Sequence, residues 1–100
     1  MPAIVRDGDE TTTGHDCDTE TTVTGPTGAV AFVYANGIPI EVKGNPTADH
    51  NITSDCVPHA AAINIGSPNV FLAGIEVARL GDSTDAGAIT TGSPNVFVNG

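Results

Sequence analysis

The chain has 100 residues and a formal net charge of −9, because 12 acidic residues outnumber 3 basic ones. This length supports one small domain, so we predict a single domain over residues 1–100. The negative charge argues against nucleic acid and an anionic membrane as partners, since both would repel the chain. Val, Ile and Thr total 31 against 2 Leu, and these β-branched side chains predict an all-β fold.

The N-terminal segment and the two cysteines bear on where the protein works. Residues 1–7 lack the long apolar core of a signal peptide, and no apolar run approaches the roughly 20 residues that span a bilayer. We therefore expect synthesis in the cytoplasm; if the protein leaves the cell, other machinery carries it. Cys17 and Cys56 permit one disulfide, but without a signal peptide a metal site is at least as well supported.

The first predicted element, residues 4–9, reads as a returning strand whose hairpin partner is missing. Its sequence Ile-Val-Arg-Asp-Gly-Asp aligns with Val-Ala-Arg-Leu-Gly-Asp at residues 77–82. Residues 33–44 follow as a β-hairpin with an Asn-Gly turn, and residues 70–81 form a second hairpin with an Ala-Gly turn. The turn glycine and the closing glycine are seven residues apart in both, so the two segments read as copies of one unit.

The last predicted element begins at a repeated hexapeptide. Gly-Ser-Pro-Asn-Val-Phe occupies residues 66–71 and again residues 92–97. Val33-Tyr34 corresponds to the final Val-Phe and marks a degenerate third copy. The final copy stops at its turn glycine, Gly100, so residues 4–9 supply its returning strand. We therefore predict a closed ring of three pseudo-threefold β-hairpin repeats, in which the N- and C-terminal strands pair with each other. The alternative is an ordinary β-sandwich that contains two similar hairpins.

Histidines and cysteines gather in the loops that follow the first two closing glycines. His15 and His50 occupy near-equivalent positions of their repeats, and equivalent positions in a threefold ring converge on its axis. The third loop, residues 82–87, has no histidine, whereas the second loop is longer and also contains Cys56 and His59. Three nitrogens and one sulfur form a tetrahedral donor set that zinc favours. We predict a structural Zn²⁺ at the axis of the ring, bound by His15, His50, Cys56 and His59, because four protein ligands leave no position for water.

Other chemistry in the same loops is less well supported. A Cys17–Cys56 disulfide is one alternative, and Cys17 could also replace one of the four metal ligands. Serine, histidine and aspartate are present as residue types of a catalytic triad, but no nucleophile-elbow sequence accompanies them. We therefore predict no catalytic residues and no enzyme. Four carboxylates could hold calcium but lack the EF-hand register: Asp16, Asp18, Asp49 and Asp55.

The duplicated hexapeptide, the Val-Ala-Arg-Leu-Gly-Asp closure and the histidine and cysteine loops resemble the PAAR-repeat proteins over essentially the whole chain. That resemblance implies a small cone whose base caps the trimeric β-helical spike of a type VI secretion system or a contractile phage tail. It also implies a zinc ion near the apex, bound by three histidines and one cysteine, here the four ligands named above. The chain departs from the family at Val42-Lys43, where Ala-Arg is usual, at Asp7 before Gly8, and in the lost Ser-Pro-Asn of the first copy.

The resemblance implies a structural tip that caps and sharpens a membrane-piercing spike, with one copy per spike trimer. The expected partners are a trimeric β-helical spike protein (VgrG-like or a phage tail-spike) and, transiently, the target membrane. Any effector is expected to be a separate protein, because no effector domain follows Gly100. The expected location is the tip of a phage tail baseplate or of a secretion spike. A small zinc-dependent hydrolase and a disulfide-bonded extracellular binding module are the alternatives.

Overall fold

The computed structural model describes residues 1–25, 33–53 and 55–98. Within these ranges the structure is all-β and contains ten short strands. The strands are β1 (Glu10–Thr12), β2 (Glu20–Thr22), β3 (Tyr34–Ala35), β4 (Ile38–Pro39), β5 (His50–Ile52), β6 (Val57–His59), β7 (Phe71–Leu72), β8 (Ile75–Glu76), β9 (Ser83–Thr84) and β10 (Gly87–Ala88). The described residues form no helix, and hence none that is long and apolar enough to cross a membrane.

The strands pair in sequence as five antiparallel hairpins, from β1–β2 to β9–β10. The hairpins β3–β4 and β7–β8 are the two that the sequence predicts, and that prediction is confirmed. Their central turn residues have φ of 57° and 75° at Asn36 and Gly37, and of 53° and 79° at Ala73 and Gly74. Positive φ at both central positions gives a turn whose twist matches that of the flanking strands, which is why Asn-Gly suits it.

A third hairpin-like pairing joins the two ends of the chain. Ala3 pairs with Phe97 in an antiparallel bridge, and the Val98 N–H donates to the Pro2 carbonyl at 2.8 Å. This bridge is equivalent to the outer pairs of β3–β4 and β7–β8. The predicted pairing of the N- and C-terminal strands is therefore confirmed, while the predicted turn at residues 99–100 lies outside the described residues.

The repeated hexapeptide leads into each hairpin through its serine. Ser67 Oγ accepts hydrogen bonds from the backbone N–H groups of Asn69 and Val70 at 3.1 and 3.0 Å. In the second copy, Ser93 Oγ accepts from the two equivalent N–H groups at 3.3 and 2.9 Å. Both serines are buried, so their hydroxyls fix the entry turn where water cannot compete.

The returning strands of the three hairpins close into a ring of hydrogen bonds. Val5 N–H donates to the Ala78 carbonyl at 3.2 Å, Ala78 N–H to the Glu41 carbonyl at 2.9 Å, and Glu41 N–H to the Val5 carbonyl at 2.9 Å. Because each strand bonds both of the others, the three units surround one axis rather than forming the two sheets of a sandwich. Flanking bridges repeat the same cycle: Ile4 with Arg79, Arg6 with Ile40, and Val42 with Val77.

The ring corrects one detail of the repeat alignment. Its bridges place Val42 at the position occupied by Arg6 and Arg79 in the other two units. The residues of the second unit that replace Ala-Arg are therefore Glu41-Val42, one residue earlier than the predicted Val42-Lys43. This shift places a carboxylate, rather than an aliphatic side chain, beside the axis.

The core divides into two clusters on opposite faces of the ring, because alternate residues of a strand point to opposite sides. Ile4, Ile40 and Val77 face the hairpin-side cluster, and Val5 and Ala78 face the loop-side cluster. The hairpin-side cluster is completed by Ala35, Val42 and Val98. The loop-side cluster is completed by Val23, Ile63 and Ile89, which lie in the segments after the closing glycines. The hairpins and the loops therefore lie on opposite sides of the ring.

A second cycle of bridges on the loop side brings the three loops together. The paired residues are Thr11 with Ile89, Val23 with Thr47, and Ile63 with Thr84. All three threonines are buried, and the hydroxyls of Thr11 and Thr84 bond to each other at 2.5 Å. The molecule measures 38 × 27 × 23 Å along its principal axes. Because the loops leave this second cycle side by side, residues from all three units can meet beyond it.

Candidate metal centre

Four side chains that can bind a metal meet beyond the buried threonines, and each of the three units contributes at least one. His15 comes from the segment between β1 and β2, and His50 and His59 lie opposite each other as a cross-strand pair of β5 and β6. Asp85 lies in the turn between β9 and β10, with φ of 51°. We call these four residues the His/Asp cluster.

The Asp85 carboxylate is the centre of the cluster. Its Oδ1 lies 2.8 Å from His15 Nε2, and its Oδ2 lies 2.9 Å from His50 Nε2 and 3.2 Å from His59 Nε2. The centroids of the imidazole rings are 5.1 to 6.3 Å apart. The ligand atoms of His15, His59 and Asp85 all fall within 4.8 Å of one another, so this group could hold a metal ion.

The hydrogen bonds of two histidines fit a cation at this position. His50 Nδ1 lies 2.9 Å from the Ala48 carbonyl, so it donates its proton there. In a neutral ring the Nε2 lone pair then faces a carboxylate oxygen, and a cation between these two acceptors removes their repulsion. His59 Nε2 is buried, and although it lies near Asp85 it has no aligned hydrogen-bond partner. Such an orphaned buried nitrogen is expected of a metal ligand.

The electrostatics of the cluster stabilise charge on both partners. Burial alone would lower the pKa of His50, but its hydrogen bonds to the Ala48 carbonyl and to Asp85 outweigh burial and raise it. Burial alone would raise the pKa of Asp85, but its hydrogen bonds to His15 and His50, together with the nearby His59, outweigh burial and lower it. The carboxylate is therefore ionised, as a metal ligand must be.

The structure brings together three of the four predicted metal ligands. His15, His50 and His59 converge, but Cys56 forms a disulfide with Cys17, with a Cα–Cα distance of 5.4 Å. The Cys56 sulfur is therefore not a free thiolate, and the structure departs from the prediction at this ligand. The disulfide joins the two loops that contain the histidines, as the alternative in the sequence analysis proposed.

Asp85 is the residue that sequence reasoning missed. The prediction takes the fourth ligand from the long second loop because the third loop has no histidine. The same threefold reasoning that paired His15 with His50 points to the third loop, where Asp85 is the one metal-binding side chain after the closing Gly81-Asp82. Its offset of three residues from Asp82, instead of five or six, reflects the shorter hairpin β9–β10.

The carboxylates considered for calcium have other surroundings. Asp18 Oδ2 accepts a hydrogen bond from the Asn51 N–H at 2.8 Å, which ties the first loop to β5. Asp16, Asp49 and Asp55 are exposed. None of these four belongs to the His/Asp cluster, so they do not extend it into an oxygen-rich calcium site.

Comparison with known proteins adds no family assignment. No protein-family model matches the chain, and no curated protein matches it significantly. The resemblance to PAAR-repeat proteins rests on the motifs and stays a prediction.

Proposed function

We propose that this chain is a structural tip protein that caps the trimeric β-helical spike of a contractile injection machine, either a phage tail or a type VI secretion system. One observation carries the proposal. Tyr34, Phe71 and Phe97 occupy equivalent positions of the three hairpins and expose 58%, 54% and 51% of their surface. A single chain thus presents three aromatic side chains around one axis, which is what a threefold-symmetric partner can bind.

Three repeats in one chain allow a monomer to match the threefold symmetry of a trimer. A trimeric β-helix ends in three open strand edges, and open edges aggregate unless something covers them. Each hairpin of this chain would cover one edge by strand addition, and its aromatic side chain would be buried against that edge. Ile75, which pairs with Leu72 in the same hairpin as Phe71, is also exposed and would add to the apolar contact. One tip per trimer follows from this arrangement.

The His/Asp cluster supports the opposite end of the proposed tip. The residues present fit a structural Zn²⁺, because imidazole nitrogens with a carboxylate oxygen are a donor set that zinc accepts. His15, His50, His59 and Asp85 would hold the ion, which would tie together one loop from each unit. Short loops joined in this way would form a narrow, stiff apex on a small cone, as force on a membrane requires.

Binding to a spike is tested with the purified chain and a trimeric β-helical spike, by analytical ultracentrifugation and co-purification. One tip per spike trimer is expected. Phe71→Asp should weaken binding at least about tenfold, because it places a charge in an apolar contact. Val57→Asp is the matched control, since Val57 is 51% exposed but lies in β6 on the loop side. No complex with either a phage or a secretion spike, or equal losses in the two variants, would refute the proposal.

A second candidate is favoured by the disulfide. The Cys17–Cys56 bond is typical of proteins that work in an oxidising environment, which suits an extracellular binding module. The two candidates differ in the need for metal. Removal of metal by EDTA should lower the melting temperature of a tip held by zinc, whereas a module stabilised by the disulfide alone should keep its melting curve. Mass spectrometry under non-reducing conditions tests whether the disulfide is present.

A further inference from the structure

The positions of the cysteines separate them from the histidines. The register of β5 and β6 pairs His50 with His59 and Ile52 with Val57, so the hairpin turn that contains Cys56 lies beyond Ile52. Cys56 lies in that turn, with φ of 55°, and the strand from Val57 to His59 spans two rises of about 3.3 Å, so about 7 Å of strand separates His59 from the turn. Cys56 thus lies one hairpin length further from the core than the histidine pair.

Asp85 is held in place by neighbours that are independent of any metal. Its carbonyl accepts a hydrogen bond from Asn64 Nδ2 at 3.1 Å. The next residue, Ala86, donates its N–H to the Thr13 carbonyl at 3.1 Å, which fixes the third loop against the first. A side chain at Gly87 would overlap the Thr12 carbonyl, since a Cβ there would lie 2.2 Å from that oxygen. The backbone therefore presents the Asp85 carboxylate to the histidines without rearrangement.

The distribution of ligands among the units also favours Asp85. With Asp85, the four donors come from the first, second and third units, so an ion would restrain all three loops. With Cys56 in its place, three donors would come from the second unit and none from the third. Only the set with Asp85 joins every loop that meets at the apex.

We propose that the metal site is complete without cysteine: Asp85 is the fourth ligand, and the Cys17–Cys56 disulfide is a separate covalent cross-link, further from the core than the metal. This inference rests on the metal that the proposed function invokes. A dithiol reductant would cleave the S–S bond by supplying two electrons and two protons, giving two thiols and its own disulfide. The loss of the disulfide would then leave the four metal ligands unchanged.

The test uses Co²⁺ as a spectroscopic probe bound to the full chain. A cysteine ligand gives a near-ultraviolet sulfur-to-cobalt charge-transfer band, which a disulfide does not. We expect the wild type to show visible d–d bands without the sulfur band. The Cys17→Ser variant, which leaves the Cys56 thiol free, should give the same spectrum and the same affinity. Asp85→Cys is the positive control, because it places a thiolate at the site and should produce the band.

Affinity provides the second readout. Asp85→Asn should weaken Co²⁺ binding by more than about tenfold, because an uncharged amide replaces a carboxylate ligand. Asp55→Asn, at an exposed acid in the neighbouring turn, should leave the affinity unchanged. A sulfur band in Cys17→Ser, or unchanged affinity in Asp85→Asn, overturns the proposal. Wild-type protein that binds no Co²⁺ overturns it as well, whereas a failure to bind a spike would affect the proposed function alone.

Discussion

Glu41 provides the sharpest test of the structure. Its side chain is 0% exposed and points into the loop-side cluster, where the other units place Val5 and Ala78. Its Oε2 accepts a hydrogen bond from Asn45 Nδ2, but its Oε1 is buried without a partner. Burial raises the pKa of this carboxyl from 4.5 to about 8, and although the hydrogen bond from Asn45 opposes the rise, nearby Asp7 and Asp9 add to it.

The sign of the effect follows from proton linkage. Between pH 4.5 and about 8 the unfolded chain releases this proton while the folded chain keeps it, so the free energy of unfolding falls as the pH rises. Each pKa unit corresponds to about 1.4 kcal/mol, so the full window is worth about 5 kcal/mol. Glu41→Gln resembles the protonated acid in shape and cannot ionise. The variant should match the wild type near pH 4 and exceed its stability by up to about 5 kcal/mol above pH 8.

Urea unfolding followed by circular dichroism, at half-unit steps from pH 4 to pH 9, measures this difference. Other groups that titrate in the window cancel when the variant is compared with the wild type at each pH. Glu20→Gln is the control, because Glu20 lies exposed in β2 and should leave the profile unchanged. Parallel pH profiles for the wild type and Glu41→Gln would refute the assignment of Glu41 to the buried face of the ring.

Three further changes test the packing around the His/Asp cluster and the ring. Gly87→Ala should destabilise the fold by about 3 kcal/mol or more, seen as a lower melting temperature, because the new Cβ meets the Thr12 carbonyl. Asp82→Ala should lower the free energy of unfolding by about 2 to 3 kcal/mol, because it removes the acceptor of the Arg79 backbone N–H at 2.7 Å and of Nη2 at 2.6 Å. Replacement of both cysteines by serine should lower the free energy of unfolding by about 4 kcal/mol, since the bond closes a loop with a sequence separation of 39; an unchanged urea midpoint would contradict the pairing.

The fold could be predicted because its signals are local and repeated. Asn-Gly and Ala-Gly turns fix the hairpins within a few residues of chain, and the duplicated hexapeptide marks where each hairpin begins. The closure of the ring by the two chain ends could be predicted from the same repeats, because the last copy lacks a returning strand and residues 4–9 lack a hairpin partner. The structure confirms that pairing through Ala3 and Phe97.

The candidate site was less predictable because its ligands are not repeated. His15, His50 and Asp85 follow their closing positions by different distances, so the type of residue and its offset both change from unit to unit. The long second loop contains both Cys56 and His59, yet the hairpin β5–β6 extends the chain between them and moves the sulfur away from the histidines. Strand pairing, which the spacing alone does not reveal, decides which side chains meet.

Glu41 escaped sequence reasoning for a related reason. The repeat alignment was one residue out of register in the second unit, and in a strand one residue changes the face. A charged residue between Ile40 and Val42 reads as an outward-facing position of an amphipathic strand. In the ring, the hairpin-side cluster covers one face and the loop-side cluster covers the other. Neither face is exposed to solvent, so the Glu41 side chain is buried.

The pairing of Ala3 with Phe97 also means that the chain could begin and end in a different hairpin while the cyclic order of the units is kept. Each unit forms backbone hydrogen bonds with both of the others in the ring, whether or not the two units are consecutive in the sequence. A circular permutant that links residue 98 to residue 2 through an Asn-Gly dipeptide, and opens instead between Ala73 and Gly74, preserves the strand pairings of all three hairpins. The new termini would then lie in a different hairpin, so cargo or labels could be attached at a chosen hairpin of the ring.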